Sequence, residues 1–124
     1  MKGDGRIRTG KAGEDMAAAY LQKAGYDIVE RNYRCPFGEI DIIAKEGNTV
    51  VFVEVKSRKS ESFGDPQMAV GLLKQRKLSL VSLCYLKDRR IFPCNARFDV
   101  VAVKMLPSGD HIELIRNAFD LVSI

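Results

Sequence analysis

The chain has no tryptophan, one histidine and three cysteines among its 124 residues. Each scarcity closes a class of explanation. His111 has no second histidine or cysteine near it in sequence, so it reads as a surface or strand residue rather than a ligand or general base. Cys35, Cys84 and Cys94 are odd in number, widely spaced and outside any Cys-x-x-Cys or Cys-x-x-His unit. That argues against a zinc site or a disulfide framework and for reduced thiols in a cytoplasmic protein. No apolar run approaches the roughly 20 residues of a membrane span, so no membrane partner is expected. The basic start Met1-Lys2-Gly3-Asp4-Gly5-Arg6 has no apolar stretch behind it and does not read as a secretory signal. Internal repeats and low-complexity linkers are absent as well.

What is present suits one domain. The length is enough to bury a core without staples, and the 46% hydrophobic and 29% charged composition is that of an ordinary globular chain. A formal net charge of +4 permits a polyanionic partner without demanding one. Residues 1–8 are polar, Gly-rich and basic and are expected to be flexible, leaving 9–124 as the domain. Thr9 is placed to cap a first helix running to about Ala24, with Ala17, Ala18, Leu21 and Ala24 on its buried face and Gly25 ending it. Three strands follow, at 26–33, 39–45 and 49–56, the last two rich in β-branched residues around Glu46-Gly47-Asn48. After a polar loop, Asp65-Pro66 signals a second helix reaching about Leu86, with Ala69, Leu73, Leu80 and Cys84 as its buried line. Segments 97–104 and 111–115 close the fold as strands around Pro107-Ser108-Gly109. The order α-β-β-β-α-β-β predicts an α/β fold, a mixed sheet flanked by helices.

The register of the middle hairpin gathers charge. If Gly47-Asn48 is a two-residue type II′ loop, paired residue numbers sum to 95, and a four-residue loop keeps that sum. A three-residue loop breaks it. Asp41 then faces Glu54, and Glu39 faces Lys56, all on one face. Ile40, Ile42 and Ala44 meet Val51, Val53 and Val55 on an apolar reverse face, which supports the register, because a slip by one would bury the acids. Like charges directly opposed destabilise a strand pair, and Ile43 and Phe52 continue the acidic face, so the carboxylates need a cation. Lys56 supplies one charge. A divalent ion would supply two, and carboxylate oxygens suit Mg²⁺ or Mn²⁺. The plainer alternative stays open: Glu-x-Lys is common on solvated strand faces, and Glu39–Lys56 reads equally as a cross-strand ion pair.

Two segments, Gly38-Glu39-Ile40-Asp41-Ile42-Ile43 and Val51-Phe52-Val53-Glu54-Val55-Lys56-Ser57-Arg58, resemble the core of the PD-(D/E)xK nuclease superfamily, the restriction-endonuclease-like fold. With Gly13-Glu14, Gly25-Tyr26, Arg31-Asn32-Tyr33-Arg34, Gly64, Pro66, Ala69, Lys74 and Arg97-Phe98-Asp99-Val100-Val101 in order, the chain resembles the YraN-like family, regarded as predicted endonucleases similar to archaeal Holliday-junction resolvases. One departure is Ile40-Asp41 where the superfamily has Pro-Asp, which leaves the carboxylate in place. The resemblance implies a metal-dependent endonuclease acting on DNA in repair or recombination. It implies that Asp41, Glu54 and the backbone carbonyl of Val55 hold the metal, that Lys56 orients the attacking water, and that Glu14 completes the acidic cluster. An acid early in a helix is also favourable for the dipole alone. DNA phosphates would meet Arg58, Lys59, Lys74, Arg76 and Lys77, with Arg31 and Arg34 beside them, in contacts that read backbone rather than sequence. A homodimer is expected by analogy with resolvases. The rival reading is a non-catalytic nucleic-acid-binding module that keeps the fold. A third is a structural adaptor that dimerises through a sheet edge.

Overall fold

A computed structural model describes residues 2–58, 70–91 and 94–121, with the backbone alone for 2–9. The elements are α1 (Lys2–Lys23), β1 (Asp27–Cys35), β2 (Gly38–Glu46), β3 (Thr49–Arg58), α2 (Leu72–Asp88), β4 (Asn95–Leu106) and β5 (Gly109–Phe119). The expected order α-β-β-β-α-β-β is observed. The strands form one five-stranded sheet in sequence order. β3 and β4 run parallel, with α2 lying between them in the chain, and every other neighbouring pair is antiparallel. No helix among the described residues is long and apolar enough to cross a membrane.

Binary pattern explains the layering. β3 is the central strand, and Val50, Val51, Phe52, Val53 and Glu54 are all buried along it, the near-continuous apolar run of a strand covered on both faces. Alternate residues go to alternate sides. Val51 and Val53 join Ile42, Ala44, Val101 and Val103 beneath Ala17, Ala18 and Leu21 of α1. Val50 and Phe52 join Ile43, Phe98 and Val100 beneath Leu78, Val81, Tyr85 and Leu86 of α2. Helix α1 ends as its sequence suggests. Gly25 takes φ +96°, its amide donates to the Gln22 carbonyl, and the Tyr26 amide donates to the Leu21 carbonyl, which is a Schellman motif.

Several boundaries differ from the sequence reading. Helix α1 begins at Lys2 rather than at a Thr9 cap; the chain has no proline before Pro36, so nothing forbids helical backbone there. Ala24 is exposed. The Asp65-Pro66 start and Ala69 lie outside the described residues, and α2 begins at Leu72 with Gly71 as its cap. Its buried line is not the expected one. Leu73 is exposed, and Leu80 and Cys84 are half-buried. The face toward the sheet instead carries Leu78, Val81, Ser82 and Tyr85. Helical periodicity admits either stripe, and the sheet selects the one whose aromatic member, Tyr85, packs edge-on against both Tyr33 and Phe52.

The far end of the sheet is tied by a buried polar network that the sequence reading did not anticipate. Asp99 is fully buried. It accepts from the Tyr26 hydroxyl at 2.7 Å, from Arg97 Nε at 3.0 Å and from the Asn117 amide at 2.9 Å. Arg97 also reaches Glu46 at 2.6 Å, as does Arg116. Burial and the Asp99 carboxylate together push the Tyr26 phenol up to about 12, so Tyr26 stays a donor. The visible signal was an acid set within an apolar strand, Phe98-Asp99-Val100-Val101.

One glycine marks where α1 meets β3. A Cβ on buried Gly13 would stand 1.8 Å from Ser57 Oγ and 2.9 Å from Ser57 Cβ, whereas one on Gly10 would meet nothing within 4 Å. Ala in a helix gains about 1 kcal/mol over Gly, and overpacking a tight contact costs about 1–3 kcal/mol. Gly10→Ala should therefore raise stability, and Gly13→Ala should lower it by the order of 1 kcal/mol. Chemical denaturation of the two variants checks the difference in sign.

Candidate functional site

The β2–β3 hairpin has the inferred register. Glu46↔Thr49, Lys45↔Val50, Ala44↔Val51, Ile43↔Phe52 and Ile42↔Val53 all pair. Gly47 takes φ +61°, as the first central residue of a type II′ turn must. The ladder then stops, and the next pair, Asp41 and Glu54, is not part of it. In its place the Val55 backbone amide donates to Asp41 Oδ2 at 2.8 Å. A side-chain acceptor has replaced a strand carbonyl, so the hairpin continues as two separated strands held by one carboxylate.

A second irregularity lies on the other side of Asp41. β1 and β2 pair as Arg31↔Ile42 and Tyr33↔Ile40, so Asn32 stands across from Asp41. Asn32 has φ +55°, a left-handed conformation that asparagine tolerates better than most residues. Residues on the two sides of this point face opposite ways. Ile42 packs beneath α1 and Arg31 bonds to α1, whereas Tyr33 and Ile40 pack beneath α2. The expected apolar face of Ile40, Ile42 and Ala44 is corrected accordingly. Simple alternation fails where the strand kinks at the candidate site.

The two carboxylates are close enough for Glu54 to act on Asp41. Burial first, then the hydrogen bond and charge of Glu54, push the Asp41 carboxyl up to about 7. The Val55 amide and the Lys74 charge act the other way. Two ionised carboxylates are acceptors only, so one must keep a proton for them to bond. Glu54 is 5% exposed and has two ammonium groups near it: Lys74 Nζ at 3.2 Å and Lys56 Nζ at 3.9 Å from Oε2. The site is thus a pair of hard oxygen donors, one backbone amide and two lysines, placed where the central strands part.

The remaining candidates fall into three groups. Glu14 accepts from Arg31 at 3.0 Å and from Asn32 at 3.1 Å. It stands on the α1 side of the kink, and its bonds go to β1 rather than to the carboxylate pair. Among the described residues no three acids, histidines or cysteines group closely enough to hold a metal ion. Arg31 is also bound to Asp15 at 2.6 Å, and these contacts raise its already high pKa. With Lys11, Glu14, Asp15, Asn32 and Arg34 it lines an open polar cleft. Arg34 pairs with Glu39 at 3.1 Å. That settles the partner of Glu39: with β2 and β3 apart, it bonds across to β1, where Arg34↔Glu39 is in register, and not to Lys56. Arg58 donates to the Ser57 carbonyl at 3.0 Å. Arg76 and Lys77 are exposed on α2, and Lys59 lies outside the described residues. Lys74, expected as a phosphate contact, belongs to the carboxylate site.

An α/β domain with a carboxylate pair at its central hairpin is the class that fold and site define. Comparison with known proteins narrows it. The model of the uncharacterised protein family UPF0102 matches residues 13–103. A UPF0102 protein of Syntrophus aciditrophicus is 63% identical over 115 residues, covering 93% of this chain and 91% of that protein. Relatives of the same description from Geobacter sulfurreducens and Desulfosudis oleivorans are 50% and 51% identical, covering 90% and 93% of this chain and 88% and 92% of their own lengths. The chain belongs to family UPF0102, which is the YraN-like family of the resemblance.

The raised Asp41 carboxyl has a stability consequence. A folded-state pKa of about 7 against an ordinary 3.8 means that the folded protein holds a proton the unfolded chain releases. Its contribution is complete below about pH 4 and is lost as pH rises toward 7. Urea unfolding should therefore show a decline of the order of 1–2 kcal/mol between about pH 5 and pH 8. Asp41→Asn, which cannot ionise, should flatten it; an equal slope in both proteins would show that Asp41 is not the group responsible.

Proposed function

We propose that this protein is a divalent-metal-dependent endodeoxyribonuclease of the PD-(D/E)xK kind, acting on branched or otherwise non-standard DNA in repair or recombination. The observation that carries the reading is the meeting of Asp41 and Glu54 at the parted ends of β2 and β3, where the Asp41 carboxyl is pushed up by burial and by the Glu54 charge. Such a pair is unstable as two anions and becomes stable as two anions around a cation. Its oxygen donors fit Mg²⁺ or Mn²⁺, with the Val55 carbonyl as the third donor; Glu14 would join through water or by leaving Arg31. A metal held there supplies Lewis-acid activation of a phosphoryl oxygen and of bound water.

The chain's own residues do the rest. Asp41 and Glu54 fix the position of the cation on rigid strands rather than on a loop. Lys56 projects from the same strand and face as Glu54. Its ammonium, beside two acids, orients water and offsets developing negative charge. Arg58, Arg76 and Lys77 supply backbone-directed attraction to DNA, in keeping with the net charge of +4. Two copies acting together would suit a substrate with two cut sites.

The test is cleavage of supercoiled, single-stranded, flapped and four-way-junction DNA with Mg²⁺ or Mn²⁺, comparing wild type with Asp41→Asn, Glu54→Gln and Lys56→Met. Each substitution should reduce the rate by about 10²-fold or more. Cleavage that survives all three would remove this site from the reaction. Binding that weakens steeply with salt, with no cleavage by wild type, would instead establish the non-catalytic nucleic-acid-binding module.

A further inference from the structure

Lys74 sits in the first turn of α2, an unfavourable place for a cation, because the helix dipole is positive there. Among the described residues, little within the turn itself holds it. Gly71 provides no side-chain cap, no acid occupies the first turn, and Leu72 and Leu73 are 57% and 69% exposed. The buried residues of α2 begin only at Leu78. Local bonds from Gln75 to the Gly71 and Val70 carbonyls shape the turn, and Val70, just ahead of it, is packed into the core beneath α2. Among the described residues, the polar contact from the turn's own side chains to β3 is the 3.2 Å ion pair from Lys74 Nζ to Glu54 Oε2.

Lys56 is the lysine that the strand pattern assigns to this site, yet it is the more distant of the two, at 3.9 Å. The lysines also differ in freedom. Lys56 is 23% exposed and springs from the rigid central strand; Lys74 is 48% exposed and has open water beside it. If a divalent cation takes the Glu54 oxygen, the ammonium now closest to that oxygen is repelled, and the better solvated lysine gives way at lower cost.

We infer that Lys74 is the resident counter-charge of the Asp41–Glu54 pair, displaced when a divalent cation binds, so that occupation of the site frees the first turn of α2 from its ion-pair tie to β3. This rests on the proposed reading of the pair as a cation site. It also reconciles two roles for one residue. Lys74 holds the carboxylates while they lack a metal, and once displaced it is an unpaired ammonium beside the metal, placed to meet a phosphodiester oxygen. It is a positioning residue in the first state and a substrate contact in the second.

Isothermal titration of the full-length protein with Mn²⁺, together with amide hydrogen exchange over Gln75 to Leu78, tests this without DNA or turnover. Removing the competing charge in Lys74→Met or Lys74→Gln should tighten Mn²⁺ binding by roughly five- to tenfold, whereas Lys74→Arg should resemble wild type. In wild type, saturating Mn²⁺ should speed exchange at these amides; in Lys74→Met they should exchange fast with or without the ion. Equal or weaker Mn²⁺ binding by both neutral variants, or no change in wild-type exchange on saturation, would overturn the displacement and leave the cation site standing. Failure of wild type and both neutral variants to bind Mn²⁺ at all would overturn the cation site and the displacement together. The wild-type exchange measurement does not depend on any variant folding.

Discussion

The interaction on which the candidate site depends is the bond from the Val55 amide to the Asp41 carboxylate. A buried amide on a central strand must find an acceptor. In a regular hairpin that acceptor is a carbonyl, and the strands stay together. Here a side chain takes the role, so β2 can leave β3 without orphaning the amide. Among the described residues no buried side-chain nitrogen or oxygen lacks a partner. The gap exists because Asp41 bridges it, and Glu54 then comes into contact with Asp41 inside that gap.

The surroundings make this arrangement sustainable. β3 is buried on both faces, so it cannot move to relieve the two acids. Gly13 lets α1 approach β3 at Ser57, close to the parted end. At the opposite end, Tyr26, Arg97 and Asn117 converge on Asp99, tying the α1 terminus to β4 and β5. The sheet is thus pinned by apolar packing and a satisfied polar network at one end and opened at the other. The open end carries lysines against a buried carboxylate, and buried charge of that kind is kept at a cost that packing elsewhere must offset.

Much of this is legible in the sequence. Alternation of β-branched residues located the strands, and the Gly47-Asn48 turn fixed the register that brings Asp41 and Glu54 opposite each other. What alternation could not supply was its own failure. A period-two pattern places Ile40 with Ile42, yet the left-handed backbone at Asn32 and the parting of the strands send Ile40 to the other side. Likewise, helical spacing offered α2 two apolar stripes, and only contact with Tyr33 and Phe52 decides between them. Lys74 was visible as a basic residue on a helix, but its partner is 20 residues away in sequence on β3, joined by a crossover that spacing does not reveal. Glu39 shows the same limit: its partner changed from Lys56 to Arg34 once β2 had left β3.

The central claim is that burial and Glu54 together raise the Asp41 carboxyl where the strands part. Carbon-detected NMR titration of the Asp41 side-chain carboxyl tests it most directly. The account predicts a midpoint at about 7, lowered in Glu54→Gln, where the partner charge is removed, but still above the ordinary aspartate value because burial remains. A wild-type midpoint near 3.8, unmoved by that substitution, would mean that the two carboxylates are independent, and the site as described would not exist.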